Sequence, residues 1–230
     1  MNHDLEIFER RLHSEWLPEF CKDVKRQLST DGFVEKSLKV TNFDAANFIR
    51  ALDGGIVHDS GGGRYRCHRS NAFEQIFWEG WKSKKPRSLT LWVEPVITIA
   101  TVARLHLDYG WPVESLCMQS KSWAFDFAVF KDESGANEFI AGEVKKNARE
   151  LDSLMENMME FGRLGSDECE EGGPRKNAFK KWHALRLCKA PYFWAVGPDN
   201  YTRLFSVAYR SDKTAKFTQV GLEDLVHHCG

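Results

Sequence analysis

Two short stretches of the sequence contain the residue types that hold a divalent cation. Asp126 lies within the apolar segment WAFDFAVF, and Glu143, Val144 and Lys145 end the apolar segment IAGEVK. A carboxylate among apolar residues is costly unless it faces a cleft, a cation or a hydrogen-bond cluster. If the two segments pair as strands through the loop KDESGAN, Asp126 lies beside Glu143. Two carboxylates that share a site repel each other unless a cation or a proton lies between them, so the sequence predicts a metal site.

Lys145 is expected at the same site. Side chains alternate along a strand, which places Glu143 and Lys145 on one face and Val144 on the other. Magnesium prefers oxygen ligands and keeps several waters, so the two carboxylates and the backbone carbonyl of Val144 would form an adequate site. The metal would lower the pKa of a bound water, while Lys145 orients or helps to deprotonate it and stabilises charge on a phosphate. These roles would suit the attack of water on a phosphate.

The elements that position these residues follow from apolar periodicity. Residues 95–109 predict a mostly buried helix, although their β-branched content also permits a strand. Period-two alternation then predicts three consecutive strands, at 116–118, 123–129 and 138–144. Further patterns predict helices at 147–161 and 176–189 and strands at 191–196 and 203–209. This order predicts an α/β fold with a mixed central sheet and helices packed on it.

The N-terminal part of the chain has a different sequence pattern. Apolar residues from Leu5 to Phe20 recur at helical spacing, and a second short helix is expected at 43–52. A glycine-rich stretch at 54–63 and a basic turn at 82–88 follow. We therefore expect an N-terminal, mostly helical accessory region at 1–88 and a second domain at 89–230.

The spacing of the candidate site resembles that of the PD-(D/E)xK phosphodiesterase, or restriction-endonuclease-like, superfamily. Asp126, sixteen intervening residues, Glu143-Val144-Lys145 at a strand end and a following helix carry the resemblance, which covers roughly residues 88–209. It implies an αβββαβ core, magnesium or manganese as cofactor, and hydrolysis of phosphodiester bonds, most often in DNA. Many members also place a metal-binding glutamate on the helix before the three strands, and Glu94 is the best match here.

The sequence departs from the family pattern at two points. Phe125 stands where the signature has proline, and Glu94 precedes Pro95, at the entrance of the predicted helix rather than within it. Glu74 and Glu79 are alternative fourth acids. A purely structural interpretation also stays open, in which Asp126 pairs locally and Glu143 and Lys145 form an exposed ion pair worth under about 1 kcal/mol.

Basic residues that could meet phosphates fall in several segments. In a strand, Arg64 and Arg66 would share a face with His68. Lys146 and Lys181, together with His183, are candidates near the end of the third strand and on the late helix. We predict Arg64, Arg66, Lys146 and Lys181 as nucleic-acid contacts, and a solvated surface is the alternative. Some of the eight tryptophans could stack on bases, although large aromatic residues mostly fill cores; they include Trp78, Trp81, Trp92 and Trp123.

Composition limits the other function classes. A formal net charge of −1 neither requires nor excludes a nucleic-acid ligand, because a local basic groove is sufficient. No apolar run approaches the length of a membrane span and the first residues lack a secretory pattern, so we expect a cytoplasmic protein without a membrane partner. Six scattered cysteines indicate reduced thiols, and Cys67-His68 and His227-His228-Cys229 match no common zinc spacing.

The sequence therefore predicts a divalent-metal-dependent nuclease, with Mg²⁺ or Mn²⁺ held by Asp126, Glu143, Val144 and Glu94. The resemblance favours a DNA endonuclease of a restriction, phage-defence or mobile-element system. A homodimer would supply the two sites that cutting both strands of a duplex needs. RNA cleavage would use the same residues. The alternative is a catalytically inactive module of the same fold that binds nucleic acid or a protein partner.

Overall fold

The computed structural model describes residues 3–120, 124–131, 138–168, 172–210 and 213–228. Within them the helices are α1 (His3–Arg11), α2 (Leu17–Cys21), α3 (Asn42–Asp53), α4 (Val93–Leu107), α5 (Ala148–Leu164) and α6 (Gly173–Cys188). The strands are β1 (His58–Asp59), β2 (Arg64–Arg66), β3 (Glu74–Gln75), β4 (Phe77–Glu79), β5 (Leu89–Leu91), β6 (Leu116–Met118), β7 (Phe127–Phe130), β8 (Glu138–Val144), β9 (Tyr192–Val196), β10 (Thr202–Tyr209) and β11 (Ala215–Val220). A π-helical turn, Leu12–Trp16, joins α1 to α2. Trp123, Cys169, Cys229 and most of the loop between β7 and β8 lie outside the described residues.

The central sheet has the strand order β11-β10-β9-β8-β7-β6. Strands β8 and β9 pair in parallel, while the other neighbours are antiparallel, so the predicted α/β fold with a mixed sheet is confirmed. A parallel pair needs a long crossover, and α5 and α6 supply it between β8 and β9. The last strand, β11, was not predicted.

Helix α4 lies in the middle of the core. The predicted helix at 95–109 is confirmed, and it begins two residues earlier, at Val93. Every residue from Pro95 to Leu105 is buried, because α4 packs against α3 as well as against strands β6 and β8 of the sheet. A helix that is apolar all round is expected in such a position. Glu94 therefore lies in the first turn of the helix, and its expected place before the helix was wrong.

Strand β7 is shorter than predicted. The ladder to β6 starts with Met118 opposite Phe127, and Gln119 leaves the strand with a left-handed backbone, φ 56°. Asp126 accordingly lies in a bend just before β7, not inside the strand. Its position is still fixed by the neighbouring strands, because its N–H donates to the Gly142 carbonyl (3.0 Å) and its carbonyl accepts from the Gln119 N–H (2.8 Å).

The N-terminal part contains the expected helices and, in addition, two small sheets. Strands β1, β2 and β3 form one sheet, and β4 pairs with β5 in a hairpin whose loop includes position 88. A single apolar cluster runs from Phe8 through α3 and α4 to Leu225. The division at residue 88 stays a prediction. Within the described residues, no helix combines the length and apolar character needed to cross a bilayer.

Candidate active site

Asp126 lies beside the end of β8. Its Oδ2 accepts a hydrogen bond from the Val144 N–H at 2.8 Å, and Phe127 is paired with Gly142 in the ladder. Burial, followed by the negative charge of Glu143, raises the pKa of Asp126 to about 8. Glu143 is therefore near enough to influence the ionisation of Asp126, and the cation that the two are expected to share stays a prediction.

Glu143 is held between two lysines. The residue is only 2% exposed, with Lys145 Nζ at 2.7 Å from its Oε1 and Lys181 Nζ at 2.7 Å from its Oε2. Lys145 lies just after β8, but its N–H donates to the Val196 carbonyl (2.9 Å) and continues the pairing with β9. The carbonyl of Val144, an expected metal ligand, accepts from Lys145 Nζ at 3.0 Å. The ion pair of Glu143 and Lys145 is therefore buried at its acidic end rather than exposed.

Glycine at position 142 allows this geometry. A Cβ added at Gly142 would overlap the ring of Phe127, which is fully buried in the adjacent strand. Two residues after Lys145, Asn147 caps the start of α5. Its side chain accepts a hydrogen bond from the Glu150 N–H at 2.9 Å and donates one to the Glu150 carboxylate at 2.8 Å. This reciprocal cap fixes the point where the chain turns from the site into the helix.

Two further carboxylates contribute to the charge at the site. Glu94 is half-buried, and its Oε1 accepts from the Lys146 N–H at 3.2 Å. Glu74 in β3 is buried, and its pKa is raised to about 7, mainly because of this burial. The negative charges of Glu94 and Glu143 also raise the pKa, whereas the hydrogen bond from Gln119 Nε2 (2.7 Å) lowers it. Glu79, the other alternative, instead bridges Arg26 at 2.7 Å and Arg87 at 2.8 Å.

The expected nucleic-acid contacts divide into two groups. Lys181 on α6 reaches the site through Glu143, and Lys146 adjoins it, exposed and 3.4 Å from Glu150. Arg64 and Arg66 share an exposed face of β2, as expected. The residue between them, Tyr65, pairs with Glu74 and is buried, so the two arginines point away from the carboxylates. The ring of His183 lies near that of Phe179, with the centroids 6.1 Å apart and the ring planes tilted by 38°.

The residues present fit a hard divalent cation in their chemistry. Asp126, Glu143 and the Val144 carbonyl offer oxygen atoms only. Burial is the main cause of the raised pKa of Asp126, with the negative charge of Glu143 second, and the positive charges of Lys181 and Lys145 only partly offset them. Burial alone would lower the pKa of Lys145, but the charges of Glu143 and Asp126 outweigh it and raise that pKa. Among the described residues, no three His, Cys, Asp or Glu side chains stand close enough to form a metal-ligand group.

An open pocket adjoins Lys145. It has a volume of about 580 Å³ and lies between the first turns of α5 and α6, where Arg149 and Asn177 line it. A phosphate at Lys145 would therefore have room on the solvent side.

Gln119, whose side chain donates a hydrogen bond to Glu74, was not predicted as a site residue. Nothing about a lone glutamine in the sequence distinguishes it from other surface residues.

Comparisons of the chain with protein-family models, with curated proteins and with solved structures found no match.

Proposed function

We propose that this protein is a divalent-metal-dependent phosphodiesterase that hydrolyses nucleic acid, with DNA as the first candidate substrate. The observation that carries the proposal is the convergence of Asp126, Glu143 and Lys145 within hydrogen-bond distance of one strand end. Carboxylates held next to a lysine and an open pocket suit a reaction in which a cation and a phosphate meet.

The order of elements supports the same proposal. Helix α4, the antiparallel strands β6, β7 and β8 and helix α5 follow one another as in the αβββαβ core that the resemblance implies, and the parallel strand β9 comes after one additional helix, α6. Glu94 in the first turn of α4 lies next to Lys146, as a metal-binding glutamate on the preceding helix would. The proposed core therefore begins at α4 and ends at β9.

In this proposal Asp126, Glu143 and the Val144 carbonyl hold the metal, with Glu94 as a fourth donor. When bound, the cation would lower the pKa of a coordinated water and offset charge on the phosphate. Lys145 orients the attacking water and stabilises the negative charge that develops on the phosphate oxygens. A bond forms between the water oxygen and phosphorus as the bond to the leaving sugar oxygen breaks, and the water proton passes to solvent or to that oxygen.

Cleavage assays test this proposal directly. Plasmid, linear duplex, single-stranded DNA and RNA are incubated with the protein and Mg²⁺, with and without EDTA. Asp126→Asn and Lys145→Met should each lower the cleavage rate by at least about a hundredfold, because each removes a charge that acts in the transition state. Lys216→Met changes an exposed lysine on the edge strand β11 and serves as the matched control. Cleavage that persists in EDTA, or in both site variants, would contradict the proposal.

A second candidate is a non-catalytic module of the same fold that binds nucleic acid or a protein. Both carboxylate oxygens of Glu143 already contact ammonium groups, which favours this alternative. Calorimetry with Mn²⁺ separates the two functions. Binding that disappears in Glu143→Gln supports the nuclease, whereas absence of binding to the unmodified protein favours the module.

A further inference from the structure

Three tryptophans are exposed on one small region of the surface. The exposed fractions are 61% for Trp78, 81% for Trp81 and 42% for Trp92. The rings of Trp78 and Trp92 meet edge to face with centroids 5.5 Å apart, and Trp81 makes no ring contact with any described residue. Indole side chains are highly buried on average, so a group of exposed ones marks a binding surface.

The loop of the same β4–β5 hairpin is basic. Lys82, Lys84 and Lys85 are exposed, and none of them forms an ion pair within the part of the chain that the structure describes. The nearest acid in the sequence, Glu79, is already shared by Arg26 and Arg87, so it leaves the three lysines uncompensated. Arg87 is buried in that contact and does not belong to the exposed basic surface.

This surface is connected to the candidate active site through two elements. Trp92 immediately precedes α4 and lies two residues before Glu94. Trp78 follows Glu74 by four residues of extended chain, a span of at most about 14 Å. A polymer bound along the hairpin therefore passes within a few monomer lengths of the carboxylates.

We propose that the platform formed by Trp78, Trp81 and Trp92 with Lys82, Lys84 and Lys85 binds single-stranded nucleic acid. Indoles stack on the faces of unpaired bases, and the lysines meet the phosphates between them. Paired bases in a duplex have no free faces, so the aromatic part of the platform selects unpaired segments. The inference deepens the proposed function by naming its substrate class, since the platform would deliver a single-stranded segment or flank to the phosphodiesterase site.

Binding measured in EDTA tests the platform without requiring cleavage. Fluorescence anisotropy follows labelled oligothymidylate or oligouridylate of about twenty nucleotides, which covers one or more sites of the usual size. A blunt DNA duplex and vesicles of mixed phosphatidylglycerol and phosphatidylcholine serve as competitors. We expect either single strand to bind more tightly than the duplex, and the two oligonucleotides distinguish DNA from RNA.

Variants of the platform separate its two parts. Trp81→Ala should weaken single-strand binding at least about fivefold, and Trp78→Ala should do the same while Trp78→Phe retains most of it. Changing all three lysines to glutamine should reduce the logarithmic salt dependence by about 2, at about 0.7 for each phosphate contact. Leu187→Ala on α6, whose side chain is 69% exposed, and Lys216→Gln on the far edge strand β11 are the matched controls.

Three results would overturn the platform. They are unchanged binding in Trp81→Ala and Trp78→Ala, equal affinity for the blunt duplex, and binding to vesicles without binding to single strands. Trp81 makes no ring contact, so its variant tests the platform even if Trp78→Ala disturbs the hairpin. Single-strand binding without any cleavage in Mg²⁺ would remove the proposed hydrolysis but not the platform. Cleavage unaffected by the tryptophan variants would leave the hydrolysis in place and show that the platform does not deliver the substrate.

Discussion

Glu143 is the residue at which a metal bound as proposed would compete with the ammonium groups of two lysines. It is buried, and each of its carboxylate oxygens has one ammonium group at 2.7 Å. A buried carboxylate needs such partners, because an unpaired charge in the interior costs several kcal/mol. A divalent cation that binds the same oxygens must share them with Lys145 or Lys181. At the proposed metal site the two lysines would therefore set the affinity for metal as well as the stability without metal.

This competition makes a prediction for Lys181. Lys181→Met frees Oε2 of Glu143 and removes one positive charge within a few ångströms of the metal. We expect Mn²⁺ to bind at least about tenfold more tightly, because like charges at this distance repel by more than 1.4 kcal/mol even at an effective dielectric constant of 20. Titration calorimetry measures the change. Lys180→Met alters the exposed neighbour and should leave affinity unchanged, and weaker Mn²⁺ binding by a folded Lys181→Met would contradict the prediction.

Glu74 makes a prediction about pH. Its pKa is about 7 in the folded protein against an ordinary 4.5, mainly because of burial. The folded state therefore holds the proton more tightly than the unfolded chain, and stability falls as pH rises from about 4.5 to 7. Glu74→Gln keeps an oxygen that accepts from Gln119 but cannot ionise. The substitution should therefore reduce this pH-dependent loss of folding stability by up to about 3 kcal/mol.

Urea unfolding in EDTA at pH 5 and pH 8 measures the effect of Glu74→Gln. The variant should be more stable than the unmodified protein at pH 8 and similar to it at pH 5. The exposed Glu114→Gln serves as the control and should follow the unmodified protein at both values. A Glu74→Gln protein that loses the same stability between the two pH values would show that Glu74 is not the group responsible.

Sequence reasoning worked best for residues whose chemistry contrasts with their surroundings. Asp126 and Glu143 were selected because a carboxylate in an apolar segment needs a partner. Lys181 was only one of several basic candidates, because its approach to Glu143 depends on how α6 packs. Arg64 and Arg66 were equally basic, yet pairing of β2 with β3 turns them away from the carboxylates. These basic residues differ in where their side chains point in the fold, and residue type alone does not show that.

At the scale of elements, the approach of β7 to β8 depends on Gly142. The Phe127 ring occupies the space where a side chain at 142 would lie, and Phe127 in turn packs edge to face on Trp194 at 5.6 Å. Gly142→Ala should therefore destabilise the protein by about 2 kcal/mol or more, because neither ring can move without disturbing the core. Thermal and urea unfolding measure the loss.

A second substitution tests the cause assigned to Gly142. Combining Gly142→Ala with Phe127→Leu makes room for the added methyl group, so the double variant should be more stable than the sum of the two single effects predicts. Gly172→Ala, where an added Cβ meets nothing within 4 Å, is the control and should change stability little. Strict additivity of the two substitutions would contradict the overlap.

Long helices were predictable and short strands were not. Helices α4, α5 and α6 each have enough apolar residues at regular spacing to define them within a few positions. Strands β1 to β5 are two or three residues long, too short for period-two alternation to be detected. Strand β11 has only one buried residue, Ala215, so its sequence resembles an exposed loop. These elements form because partners elsewhere in the chain offer hydrogen bonds.

At the scale of the whole molecule, α4 joins the two halves of the chain. One side packs on α3 from the N-terminal region and the other on the central sheet, which leaves eleven consecutive residues buried. The basic turn at 82–88 marked the expected end of the N-terminal region, and in the structure it forms the loop of the β4–β5 hairpin. A linker and a hairpin loop look alike in sequence, because both need exposed polar residues, and only the pairing of the flanking strands distinguishes them.

This shared core predicts that the two halves unfold together. Removing residues 1–88 would expose the α3-facing side of α4 and leave β5 without its partner β4. We expect the full chain to unfold in one transition that far-ultraviolet circular dichroism and tryptophan fluorescence report at the same urea concentration. A fragment of residues 89–230 should lack a cooperative transition and bind a hydrophobic dye, since it keeps helices without fixed packing. If the fragment instead unfolds as sharply as the full chain, residues 1–88 are an independent accessory domain and α4 is stabilised by the sheet alone.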